Sequence, residues 1–234
     1  MTLHDPELVR EQYADETRLA TRKRAHELGE GPDAREIVFD AVRDARPRRI
    51  LEVGCGEGEL AERMSHELGA EVVAVDQSER MVALARARGV DARVGDTQAL
   101  GFEEESFDCA VAAWMLFHVQ DVDRALAELT RVLRPRGRLV AATNDPNHLA
   151  ELYELVGAAP LELAFNSANA SRLLERHFES VQRIDAPGWL VFADREAAQD
   201  YLDSMIRLSG YVVPDVDGPI RARRTPTVFV AEKA

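Results

Sequence analysis

The stretch Leu51-Glu-Val-Gly-Cys-Gly-Glu-Gly-Glu-Leu60 decides how this chain reads. It follows a short apolar run at 49–53 and opens a helical pattern at 59–68, the strand-loop-helix context that a nucleotide-type glycine loop needs. Gly54 suits a sharp turn, Gly56 lets the backbone approach a ligand, and Gly58 removes side-chain bulk where the helix begins. Free N–H groups at that helix start favour an anionic group such as a carboxylate. The spacing is GxGxG, with Glu59 standing where a dinucleotide loop has another glycine.

Outward from the loop the pattern alternates, with strands at 71–75, 91–94, 107–113 and 138–143 and helices at 79–88 and 122–133. Strands alternating with helices through short loops predict a doubly wound, Rossmann-like α/β fold around a mostly parallel sheet. Upstream, 7–28 reads as a polar surface helix and 33–45 as a helix with one apolar face. After Asn144 the rhythm changes to helical patterns at 147–156, 170–176 and 195–208. Strand signals at 180–185 and 225–231 predict an antiparallel edge hairpin, so the last strand of a seven-stranded sheet is expected to run antiparallel.

Three acids fall at the ends of successive strands: Glu52, Asp76 and Asp96. Ligands of open α/β sheets bind at the carboxyl ends of the strands, so these carboxylates are expected to ring one crevice. Asp76 can accept both hydroxyls of a ribose, Glu52 can pair with an ammonium, and Asp96 can accept from the exocyclic amine of adenine. A pyrophosphate is poorly served by so many carboxylates, whereas a ligand carrying a sulfonium and an ammonium tolerates them. The acids and the GxGxG spacing both disfavour a nicotinamide dinucleotide.

Residues 50–143 resemble the class I S-adenosylmethionine-dependent methyltransferases, in their type 11, small-molecule branch. The matching motifs are ordered along the chain: EVGCGEG, VDQSERM, GDTQALGFEEESFDCAVAAWMLFHVQD and LRPRGRLV. The resemblance implies Glu52, Gly54, Cys55, Gly56 and Gly58 around the methionyl part of the cofactor and Asp76 on the ribose. It implies Gln77 and Met81 beside the adenine, Asp96 on its amine, and Thr97, Gln98 and Ala113 nearby; Met81 equally suits core packing. S-adenosylhomocysteine is then the product. The organisation expected is a helical lid or cap over 1–46 and a cofactor-binding domain over 47–234, with 144–225 facing the substrate.

His118, just past the fourth strand, is the candidate general base, because a neutral imidazole accepts a proton near neutral pH. The alternative is that it only braces its loop, since orientation and desolvation alone can drive methyl transfer. Trp114, Asn144, His148 and Tyr153 are candidate substrate contacts at the same sheet edge, with Phe165, Trp189 and Tyr201 as further available aromatics. On the first helix, Arg22 is placed to reach the cofactor carboxylate and Tyr13 to close over the cleft.

Composition narrows the partners. Of 234 residues, 29 are Lys or Arg and 42 are Asp or Glu, for a net charge of −13, which disfavours coating of nucleic acid or an anionic bilayer. The segment Asn144-Asp-Pro follows the fifth strand rather than the fourth, which argues against exocyclic-amine methylation of DNA. Arginine clusters at 46–49 and 221–224 leave a tRNA-base methyltransferase as the alternative enzyme, and a non-catalytic cofactor-binding module as the alternative outside enzymes. Two cysteines in no clip pattern, scattered histidines, no apolar run of membrane-spanning length and no signal-peptide pattern lead to expectations of no metal, no membrane and a cytoplasmic location. A monomer or homodimer acting on a small molecule is expected.

Overall fold

The computed structural model describes residues 16–234. Helix α1 (Glu16–Glu27) precedes α2 (Ala34–Ala45), and the alternating part follows as β1 (Arg49–Val53), α3 (Glu59–Leu68), β2 (Glu71–Asp76), α4 (Glu79–Ala87), β3 (Asp91–Val94) and β4 (Phe107–Ala113). A 3-10 turn at Leu116–His118 leads to α5 (Val122–Val132), β5 (Leu133–Asn144), α6 (Ala150–Leu155), α7 (Ala170–Leu174) and β6 (Ser180–Asp185). The chain then forms β7 (Gly188–Phe192), α8 (Arg195–Asp203), β8 (Ile220–Arg224) and β9 (Pro226–Glu232).

The sheet has seven strands in the order β3-β2-β1-β4-β5-β9-β6. Strands β1 to β5 pair in parallel, and β9 runs antiparallel between β5 and β6. The doubly wound fold with an antiparallel last strand is as the sequence predicts. The two late strands pair with each other, but not as a hairpin on the edge: β7, α8 and β8 lie between them in the chain, and of the two β6 alone is at an edge, with β9 inside the sheet.

Local chemistry sets the helices. Asp33 caps α2 by accepting from the Arg35 amide at 2.9 Å, and Arg46, left-handed at φ 48°, ends it before Pro47. Asp121 caps α5 in the same way from the Arg124 amide at 3.0 Å, and Val122, Ala125, Leu126, Leu129 and Val132 form its buried face. Each fully buried Leu or Val of such a face contributes about 1.5–3 kcal/mol. One core layer puts α5 and α7 against the sheet; the other puts α2, α3 and α4 against the opposite face. Helix α2 is therefore part of the sheet-covering layer, so a lid spanning all of 1–46 is not what this helix forms.

A third apolar cluster stands apart, built from α6, β7, α8 and β8 with Ala25 of α1 packed against it. Strands β7 and β8 form their own antiparallel pair, which the sequence reading did not anticipate. Glu30 bridges to Trp189 of β7, and the nearly buried Arg224 donates to the carbonyls of Glu30, Gly31 and Pro32. The α1–α2 connection is thereby strapped to this hairpin.

Candidate functional site

At the switch point of the sheet, where β1 lies between β2 and β4, a cleft of about 640 Å³ opens at the carboxyl ends of the strands. Glu52, Gly54, Cys55, Gly56, Asp76, Gln77, Met81, Asp96, Thr97, Gln98, Ala113, Trp114 and His118 all line it. The structure thus brings together most of the residues that the sequence singles out.

The glycine loop is held by its own backbone. Gly54 and Cys55 donate to the Val75 carbonyl at 2.7 and 3.2 Å, and the Gly58 amide returns to the Cys55 carbonyl at 3.0 Å. Gly54 has φ 67°, and a Cβ there would stand 2.5 Å from Cβ of Met115. Gly56 has φ 53° with nothing within 4 Å of its missing side chain, so that position faces the open cleft. Gly58 is not on the cleft; a Cβ there would meet Cβ of Ala85 at 2.7 Å, which makes it a packing position between α3 and α4.

Asp76 accepts from the Gly56 amide through Oδ2 and from the Ser78 amide through Oδ1, both at 2.9 Å. Burial raises its pKa above the ordinary aspartate value, while the amides of Ser78, Gly56 and Gln77 oppose that rise. Glu52 is only 4 % exposed, and its Oε2 has no hydrogen-bond partner. Burial, then the nearby Asp76 charge, pushes its pKa up to about 8 against a weaker pull from the Ala61 amide. Burial also pushes the Cys55 thiol up, so this cysteine stays protonated. Cys55 and Cys109 are both buried free thiols.

Asp96 is exposed and accepts from the Gln98 amide at 2.8 Å, while Gln98 Oε1 accepts from the Asp121 amide at 3.0 Å. Gln98 so ties the loop after β3 to the start of α5. Met81 is 2 % exposed yet still reaches the cleft, so packing and lining are both true of it. Trp114 follows β4 with φ 53°, a conformation that costs a bulky residue about 1–3 kcal/mol. Its amide donates to Ala142 at 2.9 Å and its indole Nε1–H to Asn144 Oδ1 at 3.3 Å, and these bonds hold the ring at the cleft. His118 follows on the 3-10 turn, its ring 4.5 Å from that of Phe117.

Other candidates lie elsewhere. Asn144 touches the cleft only through Trp114. Tyr153, 3 % exposed, belongs to the third cluster and His148 lies beside it: His148 Nδ1 accepts from the Thr225 amide at 3.0 Å, and its ring stacks on His26 at 6.2 Å. Arg22 donates to the Ser204 carbonyl below α8 and does not line the cleft. Tyr13 lies outside the described residues. Phe165 is fully buried against Phe229, Tyr201 is buried beside His26, and Trp189 lies between the guanidinium groups of Arg221 and Arg223. All three are structural in this setting.

The sequence reading missed Lys23, which does line the cleft and pairs with Glu57 at 2.7 Å and Glu59 at 2.8 Å. Its signal was available, since Lys23 is one of two lysines and adjoins Arg22 on the same helix. Arg35, Glu36 and Arg63 also line the cleft and carry no motif that marks them, and Met115 does so from within the third motif, where it was not singled out.

A family model described as a methyltransferase domain matches residues 51–141. The chain is 38% identical over 119 residues to a demethylmenaquinone methyltransferase of Thermus thermophilus, covering 48% of this chain and 54% of that protein. It is 37% identical over 122 residues to a ubiquinone biosynthesis O-methyltransferase of Xanthomonas oryzae pv. oryzae, covering 49% and 51%. The chain therefore spans about half the length of these curated relatives. The YcgJ protein of Bacillus subtilis has a similar fold, with a TM-score of 0.62 at 18% identity over 84% of this chain and 97% of that one. The glycine loop and the acids Glu52, Asp76 and Asp96 all fall within the segment that the methyltransferase-domain model matches.

Proposed function

We propose that the chain is an S-adenosylmethionine-dependent methyltransferase acting on a small-molecule acceptor. The observation that carries this reading is the cleft itself: the buried Glu52 and the half-buried Asp76 flank a glycine loop whose Gly56 leaves open space, within a segment that matches a methyltransferase-domain model. The fit is chemical. Asp76 offers acceptor oxygens for ribose hydroxyls, and the partnerless Glu52 Oε2 offers one for an ammonium. Asp96, Gln98, Gln77, Thr97 and Met81 form the adenine end, and Cys55 and Ala113 the wall between.

S-adenosylmethionine, when bound, supplies an electrophilic methyl group on sulfur. Trp114, fixed by Asn144, and Met115 give the acceptor an apolar wall that suits a ring-bearing molecule. His118 stands at that wall and accepts the proton of an O, N or C nucleophile. Lys23 clasps the glycine loop from α1, so that α1 acts as the cover that excludes water. Within 144–225, β7 and α8 hold α1 in place, and the protein works as a monomer or homodimer in the cytoplasm. Arg49, Arg221 and Arg223 pair with Glu71, Glu30 and Glu151, which neutralises part of the positive surface that tRNA would need.

A thermal unfolding scan with S-adenosylmethionine, S-adenosylhomocysteine and NADH tests the reading. Ligand at 100 times its Kd adds about 2.7 kcal/mol, or roughly 5–10 °C here. Shifts from the two sulfur nucleosides alone support it, and a shift from NADH alone, or none, refutes it. His118→Ala is expected to lower turnover about 100-fold with cofactor Kd unchanged, measured as separate kinetic and binding constants.

A further inference from the structure

Glu52 combines two properties that conflict unless its proton is counted. It lines the cleft, yet its Oε2 is shut off from solvent and lacks a partner, and among the described residues no ion pair includes it. Asp76 faces it from the end of β2, the Cys55 thiol from the glycine loop, and the Ala61 amide from the first turn of α3. Its neighbours in register on β2 and β4 are the apolar Ala74 and Val111. The cations that share the cleft are committed: Lys23 of α1 to Glu57 and Glu59, Arg35 of α2 to Asp33, and Arg63 of α3 to Glu36. A naked carboxylate in that position is strongly disfavoured.

We propose that Glu52 stands in the ligand-free cleft as a neutral carboxylic acid and gives up its proton when a ligand's ammonium group seats beside Oε2, making it the residue that selects for a cationic ligand. The inference rests on the cofactor reading above and adds a proton to it. The O–H bond of the acid breaks and its proton passes to the solvent buffer. The ammonium keeps its own protons and donates one hydrogen bond to the carboxylate left behind. A ligand with the same nucleoside but no ammonium leaves the acid intact. Burial and the Asp76 charge, which raise the Glu52 pKa to about 8, agree with this geometry.

The test is calorimetric titration of the full chain with S-adenosylhomocysteine in buffers of different ionisation enthalpy. At pH 7 nearly one proton is expected to leave per ligand bound, and affinity is expected to rise about tenfold from pH 6 to pH 7, where the ligand's amino group stays charged. Methylthioadenosine, which lacks the amino-acid end, is expected to bind without proton release, and Glu52→Gln to abolish the release seen with S-adenosylhomocysteine. Binding of S-adenosylhomocysteine without proton release overturns this inference and leaves the cofactor reading standing, as does equal release from Glu52→Gln. Failure of S-adenosylhomocysteine and S-adenosylmethionine to bind at all overturns both. Should Glu52→Gln not fold, infrared difference spectra of the wild-type chain decide: ligand binding must remove a protonated-carboxyl C=O band, and an unchanged band refutes the proposal.

Discussion

The cleft and the third apolar cluster both bury titratable side chains, with opposite consequences for pH. In the cleft, Glu52 has a folded-state pKa of about 8, above its ordinary value, so the folded chain holds the extra proton. Its contribution is fully present below about pH 4.5 and is lost as pH rises through 8. In the cluster, burial lowers His26 to about 4 and His148 to about 3, aided by Arg224 beside both and by each ring's neighbours. Those imidazoles stay neutral, and their contribution is present above about pH 6.5 and lost as pH falls toward 4. Burial neutralises in both places. Only the carboxyl opens onto a cleft that admits a counter-charge, whereas the imidazoles already hold their partners, Tyr201 at 3.3 Å and the Thr225 amide at 3.0 Å.

The sharpest way to break the comparison is at the cleft. Asp76→Ala removes the acceptor proposed for ribose hydroxyls and is expected to weaken S-adenosylhomocysteine at least about 100-fold by calorimetry, given roughly 1.5–3 kcal/mol per charged hydrogen bond. The same loss from His148→Gln contradicts the separation of the two regions. Next comes acid. Lowering pH from 7 to 5 is expected to remove on the order of a few kcal/mol through the two histidines. Hydrogen exchange then accelerates first in α8, β7 and β8; uniform acceleration including β1 and β4 would falsify the division.

Within the loop, Gly54→Ala and Gly56→Ala sharpen the difference between a packing glycine and a ligand-facing one. Gly54→Ala drives a Cβ into Met115 at 2.5 Å and is expected to cost about 2–3 kcal/mol in a urea melt. Gly56→Ala meets nothing within 4 Å, costs only about 1–2 kcal/mol for its left-handed backbone, and shows its larger effect on cofactor affinity. The smallest effect belongs to Lys23→Ala. Its ion pairs are partly exposed, at 28% for the lysine side chain and 51% for Glu59, so stability is expected to change by less than about 1 kcal/mol. Faster cofactor dissociation in stopped flow, with Tm nearly constant, fits the clasp assigned to it.

How far the sequence could be read depended on how local the determining contacts are. The strand-loop-helix at 49–68, the capped helices and the acids at strand ends were legible because each depends on neighbours a few residues away and on sheet alternation. Strands β7 and β8 were not, because they pair across a helix and a long loop and bury residues against α1. The substrate contacts expected of His148 and Tyr153 faltered for the same reason, since residue type and nearness to a strand end do not say which of two cores a side chain adjoins.

By itself the sequence determined the doubly wound sheet, the glycine loop and the acidic ring, which periodicity and left-handed glycines impose wherever they occur. Tertiary structure decided that Lys23 rather than Arg22 faces the cleft, because packing of Ala25 against the third cluster and the Arg22 bond to Ser204 fix the rotation of α1. It also decided that Glu52 stands without a counter-ion, because which cation a buried carboxyl meets depends on how three helices dock over the sheet, and each cation they bring is already bonded to another acid.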